Sequence, residues 1–542
     1  MKEVSEHSKT IAKGSAIGIA GNLFFNFVSF LYVIMIARAA SQDDVGLFYL
    51  AMSVISLLGF IDDLGLGGAL VRYIPFFEGK NEKNKIRALL KSSYLIVSLS
   101  AMALMAILFF QADAIGAIYN NGRLPEVIRF ISLNLLFTNI ARINNSFLQS
   151  RGDIAAMQIA SNAQNVAKLA FTLLAFHLYG PSSLTLTAGF IASAVLGLAI
   201  SVLFSFRRMM ELPESDETVG WKVMAHEIIP YGITMGIIHS FLIGIFSANR
   251  LLLGYLTSDE SGIGAVAIYS IASSMVSVLF VFPSSIGAIF LPIMARLFGK
   301  NDIQSMRETI ETAQRWTLFV TAPFALVMIV FSGEMLATFY GENYVSGALA
   351  MSILGIGILV RAVSYMPALS LASMRKLRIN FFANAAGGIA NILLNLALIP
   401  AYGIVGSALS SVAGLFVTLI LITQNSKRHF GFTIPSPFYR LVGAAVVTLV
   451  IVLFLKPLAI DAASAAIPAG LSSIPYLGKV AYLAYLGLLS VITGIIFVSF
   501  VIVLRCFGSE DIDLMKKALQ KMKVPPSAVS LAERVASYGI DS

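Results

Sequence analysis

Apolar residues run along this chain in long stretches separated by short charged or Gly/Pro-containing breaks. The stretches cover residues 14–38, 45–71, 88–111, 127–148, 154–178 and 182–206. After a charged linker at 207–222 come 226–253, 264–292, 316–339, 346–373, 379–400 and 404–424, and a final pair covers 438–456 and 479–504. A bilayer core of about 30 Å needs roughly 20 apolar residues per helix, so each stretch predicts one membrane-spanning helix. The fold class that follows is an all-α polytopic membrane protein with about fourteen transmembrane helices.

The first twelve stretches repeat. Residues 110–119 match 331–340 at an offset of 221, and 162–180 match 384–403 at 222 to 223, both ending in Tyr-Gly. Tyr49 and Tyr269 open corresponding stretches at an offset of 220. These offsets, in the same order, predict two six-helix lobes. Because six is even, the lobes share an orientation, related by a pseudo-two-fold axis along the membrane normal with a cavity between them. The domain reading is 1–206 for the N-lobe, 207–225 for a cytoplasmic linker, 226–424 for the C-lobe, 425–504 for two appended helices and 505–542 for a cytoplasmic tail. In the tail, Ile512, Met515, Leu519 and Met522 oppose Lys516, Lys517, Lys521 and Lys523, a pattern that predicts contact with anionic lipids of the inner leaflet.

Composition excludes a soluble globule: of 542 residues 57% are hydrophobic and 12% charged, and mean hydropathy is +0.83. A formal charge of +9 does not imply nucleic acid, because the basic residues lie in short loops rather than in one patch. With the N-terminus placed in the cytoplasm, 29 of the 38 Lys and Arg fall on the inner side, five on the outer side and four inside the stretches. That asymmetry predicts a multi-pass protein of the cell membrane with both termini cytoplasmic. The run from Gly14 to Ala37 is too long for a signal-peptide core, so no cleaved leader is expected. Cys506 is the one cysteine, which excludes an intramolecular disulfide.

Charge in hydrocarbon is costly, which makes Arg142, Lys168, Arg361, Asp62 and Asp63 informative. Gln158, Ser161, Asn165, Lys168 and Thr172 share one helical face, as do Asn134, Thr138, Arg142 and Asn145. Asn380, Asn384, Gly388, Asn391 and Asn395 form a third polar stripe, and Asn22, Asn26 and Ser29 begin a fourth. One reading makes these stripes interhelical hydrogen-bond glue, with Asp63 neutralising Lys168 or Arg142. The other makes them the wall of a cavity that receives an anion, since the cations outnumber the acids. Arg361 and Lys168 rank first as anion ligands, then Arg142, with Gln158, Asn165, Asn134, Asn391 and Asn395 as polar lining; Arg250, near an outer end, is read as structural and able to snorkel. Asp63 and Asp62 remain open between ion pairing and coupling-ion binding, and His239 reads as a packed polar residue rather than a proton relay.

Prolines are uneven. Pro75, Pro125 and Pro181 read as loop residues, whereas Pro230, Pro283, Pro323 and Pro367 fall inside second-half stretches and predict kinks there. No His/Asp/Glu cluster or metal-ligand spacing is present, and the longest outer connection, 457–478, carries Asp461 as its single acid. Neither a metal, a cofactor nor a catalytic centre is expected, against a membrane glycosyltransferase or polymerase.

The segment Arg38-Ala-Ala-Ser-Gln-Asp-Asp-Val-Gly46-Leu-Phe-Tyr49, followed by Asp63-Leu-Gly65-Leu-Gly67 and Arg72, resembles the opening of polysaccharide and oligosaccharide flippases of the multidrug/oligosaccharidyl-lipid/polysaccharide exporter superfamily. Residues 391–408, which hold Asn391, Asn395, Pro400, Gly403 and Gly406, are similar to that family's most recognisable stretch, and Phe339 to Tyr344 fits its ninth-to-tenth loop. The resemblance covers about residues 10–505. It implies two six-helix lobes plus two further helices that move a polyprenyl-linked oligosaccharide from the inner to the outer leaflet by alternating access, without an ATP site. It implies a cationic cavity for the pyrophosphate as a property rather than residue by residue, and glycan-assembly enzymes as partners. Multidrug antiporters of the same superfamily are the rival reading; they bind cationic drugs, which a cationic interior disfavours.

Overall fold

The computed structural model describes residues 2–58, 64–213, 226, 228–257, 262–374, 376–431, 436–466, 477–506 and 511. Among them there is no strand. The helices are α1 (Lys2–Ala39), α2 (Gln42–Leu57), α3 (Leu66–Gly79), α4 (Lys83–Ile118), α5 (Leu124–Ser132), α6 (Asn134–Ser150), α7 (Ile154–Tyr179), α8 (Ser183–Met209) and α9 (Ile229–Leu256). They continue as α10 (Gly262–Ser277), α11 (Val281–Gly299), α12 (Ile303–Val330), α13 (Ser332–Phe339), α14 (Ala348–Ser373), α15 (Leu377–Phe430), α16 (Ser436–Ala466) and α17 (Leu477–Val503). Side-chain oxygens fix several starts. Ser41 caps α2 through the Asp44 amide, Asp153 caps α7 through the Ala156 amide, and Asp302 caps α12 through the Ser305 amide. Ser182 and Thr185 form a reciprocal capping box on α8.

Among the described residues the predicted stretches are helical, with breaks that periodicity does not reveal. The described residues of the stretch at 45–71 include two helices, α2 and α3, and the chain enters α3 through left-handed Leu64 (φ 49°) and Gly65 (φ 67°). Asp62 and Asp63 lie outside the described residues, as do most of the 207–225 linker and the amphipathic segment of the tail. The stretch at 264–292 is interrupted by a 3₁₀ turn, Val278–Phe280, just before Pro283. Proline cannot donate an amide to the carbonyl four residues back, and the turn tightens there. The stretches 379–400 and 404–424 run through α15, but Gly403 (φ 53°, ψ −125°) breaks its helical path. Gly406 lies against the backbone at Leu398, and Gly414 against the backbone of Gly387. The two arms of α15 therefore fold back as an antiparallel hairpin.

Three of the proline positions differ from expectation. Pro125 is the second residue of α5 rather than a loop residue, at a helix start where its missing amide costs no intrahelical bond. Pro75 lies inside α3 rather than in a loop, on the last turn and a half, where one lost hydrogen bond is tolerated. Pro230 sits in the first turn of α9, where its fixed φ suits a helix start. Pro323 and Pro367 are inside α12 and α14 as expected.

Among the described residues ten helices are long and apolar enough to cross a membrane by length and composition. That count is not the predicted fourteen. One of the ten, Leu377–His429, covers two predicted stretches, and the stretches that form α2 with α3, α7 and α9 are helical but fall outside the ten.

By packing, the chain separates into two compact units, one comprising 1–274 with 392–407 and the other 275–391 with 408–542. In the first, α7 lies along α1 and α8, α6 packs between α3, α4 and α8, and α9 packs on α2 and α3. Its core includes Leu66, Leu70, Ile74, Leu89, Val97, Ile143 and Phe147, all fully buried. In the second, α12 packs on α11, α14, α16 and α17, around Leu318, Leu326, Leu441, Phe497 and Val501.

Candidate functional site

In the first unit the polar stripe of α7 turns toward α1. Asn165 is buried, and its Nδ2 donates to the Phe25 carbonyl at 2.8 Å and to Ser29 Oγ at 2.9 Å. Gln158 Nε2 reaches the Gly18 carbonyl at 3.4 Å and Asn22 Oδ1 at 3.5 Å. Gly21 allows this approach, since a Cβ there would stand 2.6 Å from Gln158 Oε1. Both amides expected to line a cavity thus bond helix to helix, as the glue reading anticipates.

Lys168, one turn beyond Asn165, does something different. Its Nζ stands 4.5 Å from the centre of the Tyr32 ring, the side chain is half-buried, and among the described residues no carboxylate pairs with it. On α6, Asn134 is buried at the first position and Arg142 is half-buried. The neighbouring Asn144 is the polar hub that periodicity misses in favour of Asn145. It is buried, accepts from the Tyr94 hydroxyl, donates to Ser201 Oγ at 3.2 Å, and its carbonyl accepts from Ser205 at 3.3 Å, joining α4, α6 and α8.

Arg250 is held among aromatic rings rather than snorkelling outward. Its Nε is buried without a hydrogen-bond partner, and its guanidinium carbon lies 5.3 Å from the centre of the Tyr49 ring, with Tyr269 in electrostatic reach. No carboxylate pairs with it among the described residues. The Nε is therefore held inside the helix packing. The sequence signal was present, because Tyr49 and Tyr269 are the repeat-related tyrosines. Beside it, Asn395 Nδ2 donates to Asn249 Oδ1 at 2.6 Å, both residues buried.

In the second unit Arg361 on α14 lies with its guanidinium carbon 3.8 Å from the centre of the Phe280 ring. Phe280 ends the 3₁₀ turn ahead of Pro283 and meets Tyr365 edge-to-face at 5.1 Å. Asn391 is buried where the arms of α15 cross; a Cβ on Gly414 would stand 2.9 Å from its own Cβ. Asn380 donates to the Ala368 carbonyl at 2.7 Å, again helix to helix. Of the predicted site residues, Arg361 and Asn391 belong to this unit, and Lys168, Arg142, Gln158, Asn165, Asn134 and Asn395 to the first. The side chain of His239 lies outside the described residues.

The motif at 38–49 forms a knot at the end of α2. The Asp44 carboxylate pairs with Arg123 and accepts from the Ser183 amide at 3.0 Å and Ser41 Oγ at 2.6 Å, tying α2 to α5 and α8. Burial pushes its carboxyl up, but the Ser41 hydroxyl, the Ser183 amide and the Arg123 guanidinium outweigh that and hold it below the ordinary carboxylate value. Gly46 is required because a Cβ would overlap the Ile263 carbonyl oxygen. Among the described residues no group of His, Cys, Asp or Glu is arranged to hold a metal.

A family model described as polysaccharide biosynthesis protein matches residues 35–349. The chain is 25% identical over 413 residues to an uncharacterised membrane protein of Methanocaldococcus jannaschii, covering 72% of this chain and 79% of that one. It is 19% identical to the lipid II flippase MurJ of Bacillus subtilis, covering 79% and 84%. The solved structure of a lipid II flippase MurJ in an inward closed conformation matches with a TM-score of 0.68 at 14% identity, over 89% of this chain and 98% of that one.

Proposed function

The chain belongs to the family of polysaccharide biosynthesis proteins, and from that premise we infer that it is a flippase. It moves a polyprenyl-(pyro)phosphate-linked oligosaccharide from the cytoplasmic to the outer leaflet by alternating access, for assembly of a cell-surface glycan. The observation that carries the reading is the state of the intramembrane cations. Lys168 and Arg250 each stand against an aromatic ring with no carboxylate partner among the described residues, and Arg361 stands against Phe280. A ring stabilises a cation without neutralising it, so the positive charge stays available to a phosphate. A carrier for cationic drugs needs the opposite sign, which disfavours the antiporter reading. The named activity of the MurJ relative supports the same direction.

The test is biochemical. Deletion of the gene should leave lipid-linked glycan precursor accumulating on the inner side, and unchanged precursor with intact surface glycan defeats the proposal. Lys168→Gln, Arg250→Gln and Arg361→Gln should each lower flipping by about tenfold or more, the worth of one charge-assisted hydrogen bond, at unchanged membrane abundance. Loss of the protein itself in all three variants would make the cations structural.

An interior-negative potential favours outward movement of the anionic headgroup by about 2.3 kcal/mol per charge per 100 mV. In this reading both termini are cytoplasmic and membrane potential drives turnover, the rival being sodium or proton coupling through Asp62, Asp63 or His239. Flipping in proteoliposomes under an imposed potassium diffusion potential decides this: a response to a sodium or pH gradient and none to voltage sinks it.

A further inference from the structure

The exposed face of α3 carries Arg72, Phe76 and Lys80 at spacings of four, hence one above another on the helix. Each cation lies on a ring. The Arg72 guanidinium carbon is 4.3 Å from the centre of Tyr231 and 5.5 Å from that of Tyr73, and Lys80 Nζ is 4.5 Å from that of Phe76. The rings are fixed from behind. Tyr73 meets Tyr231 edge-on at 5.8 Å and Phe76 at 6.3 Å, and Phe76 meets the buried Phe77 at 5.8 Å. Tyr73 and Tyr231 pack on the core of the first unit.

The described acids at this end are engaged elsewhere. Glu78 pairs with Arg151, Glu82 with Lys85, Asp153 with Arg208, and Glu211 with both Arg208 and Arg151. Arg72 and Lys80 have no carboxylate partner among the described residues. This is also the end of α3 that the Lys and Arg distribution assigns to the cytoplasm, where an apolar helix leaves the membrane. A phenylalanine nearly half exposed there, flanked by two ring-backed cations about 12 Å apart along the axis, matches an anionic headgroup with its glycerol and upper acyl carbons.

The repeat supplies a natural contrast. At an offset of 220 the same positions on α11 are Pro292, Arg296 and Lys300, all exposed. Neither Arg296 nor Lys300 forms a salt bridge among the described residues, although Asp302 is in electrostatic reach of Lys300, and no described ring lies under either. The two helix ends carry two cations each at these positions, and one of them holds its cations on rings.

We propose that the Arg72–Phe76–Lys80 face of α3, with Tyr231, is a binding site for the phosphate headgroup of an anionic bilayer phospholipid, distinct from the site of the transported lipid. Each cation already rests on a ring, so part of its side-chain freedom is spent before the phosphate binds. The lipid would seat the first turn of α9 against α3 through Tyr231.

The experiment uses the full-length protein, delipidated in detergent and titrated with phosphatidylglycerol, with bound lipid counted by native mass spectrometry. A basic residue near an anionic surface is worth about fivefold in affinity. Arg72→Gln/Lys80→Gln should therefore bind about 25-fold more weakly, while Arg296→Gln/Lys300→Gln leaves that tight component unchanged. Phe76→Leu, which keeps an apolar contact and removes the ring, should weaken binding by less than the double variant. If the double variant does not fold, Lys80→Gln alone, exposed at the helix end, should still show about a fivefold loss. Equal losses in the two double variants, or equal binding of phosphatidylcholine, would overturn the proposal. So would binding of an undecaprenyl phosphate probe with none of phosphatidylglycerol, which would assign the face to the transported lipid.

Discussion

The turn that closes α3 and the turn that closes α11 have nearly the same sequence, Gly79-Lys80-Asn81-Glu82 and Gly299-Lys300-Asn301-Asp302. They also have the same backbone. Asn81 and Asn301 are left-handed (φ 59° and 55°), and their amides reach the carbonyls of Glu78 and Phe298 at 3.0 Å. The next amides bond to Phe77 at 2.8 Å and Leu297 at 3.1 Å, closing a Schellman motif in each half. The side chains one and two turns earlier are Arg72 and Phe76 in one half and Pro292 and Arg296 in the other. The intramembrane cations diverge in the same way. Lys168 corresponds to Asn391 at an offset of 223, so the repeat does not pair the charged positions. Short-range backbone hydrogen bonding holds the scaffold in both halves, and chemistry is added to each face separately.

The strongest challenge to a shared scaffold is at the Tyr-Gly turns. Gly180 (φ 78°, ψ 160°) follows α7 and Gly403 (φ 53°, ψ −125°) divides α15, and both conformations belong to glycine. Gly180→Ala and Gly403→Ala should each destabilise the protein by about 1–3 kcal/mol, read as lowered thermal unfolding in detergent. A loss confined to one of them would mean that the two turns are not equivalent.

A smaller effect separates the halves through Asp44, whose counterpart at an offset of 220 is Gly264. A carboxyl held below its ordinary value near 3.9 contributes fully above that pH, and the contribution disappears as pH falls through the lowered value. Hydrogen exchange at the Ser183 amide should therefore accelerate below about pH 4. Asp44→Asn should cost about 1 kcal/mol at neutral pH and abolish that acid response. Exchange insensitive to pH in both proteins, after correction for intrinsic rates, would remove Asp44 from the account.

The smallest expected effect is at the Schellman turns. Glycine adopts the left-handed conformation without side-chain strain, so Asn81→Gly and Asn301→Gly should each shift stability by about 0.5 kcal/mol or less, in the same direction. Opposite signs would show that one asparagine side chain has a further role.

Much of the architecture is legible in the chain itself. Long apolar stretches must become helices because a backbone in hydrocarbon has to satisfy its own hydrogen bonds, and the Tyr-Gly pairs mark the corresponding turns of both halves. The 3.6-residue period also fixes which polar residues of a stripe share a side. Periodicity carries no information about what that side meets. Asn165 and Gln158 face α1, Asn144 rather than Asn145 joins three helices, and Arg250 keeps its Nε buried beside Tyr49. Those outcomes depend on which helix lies alongside, and so on contacts between residues far apart in sequence, such as Tyr94 with Asn144 and Ser29 with Asn165. Sequence determined the helices, their repeat and the sign of the intramembrane charge. Only the packing decided which polar groups are spent joining helices and which cations are left on aromatic rings, because that choice is made by neighbours the local pattern does not contain.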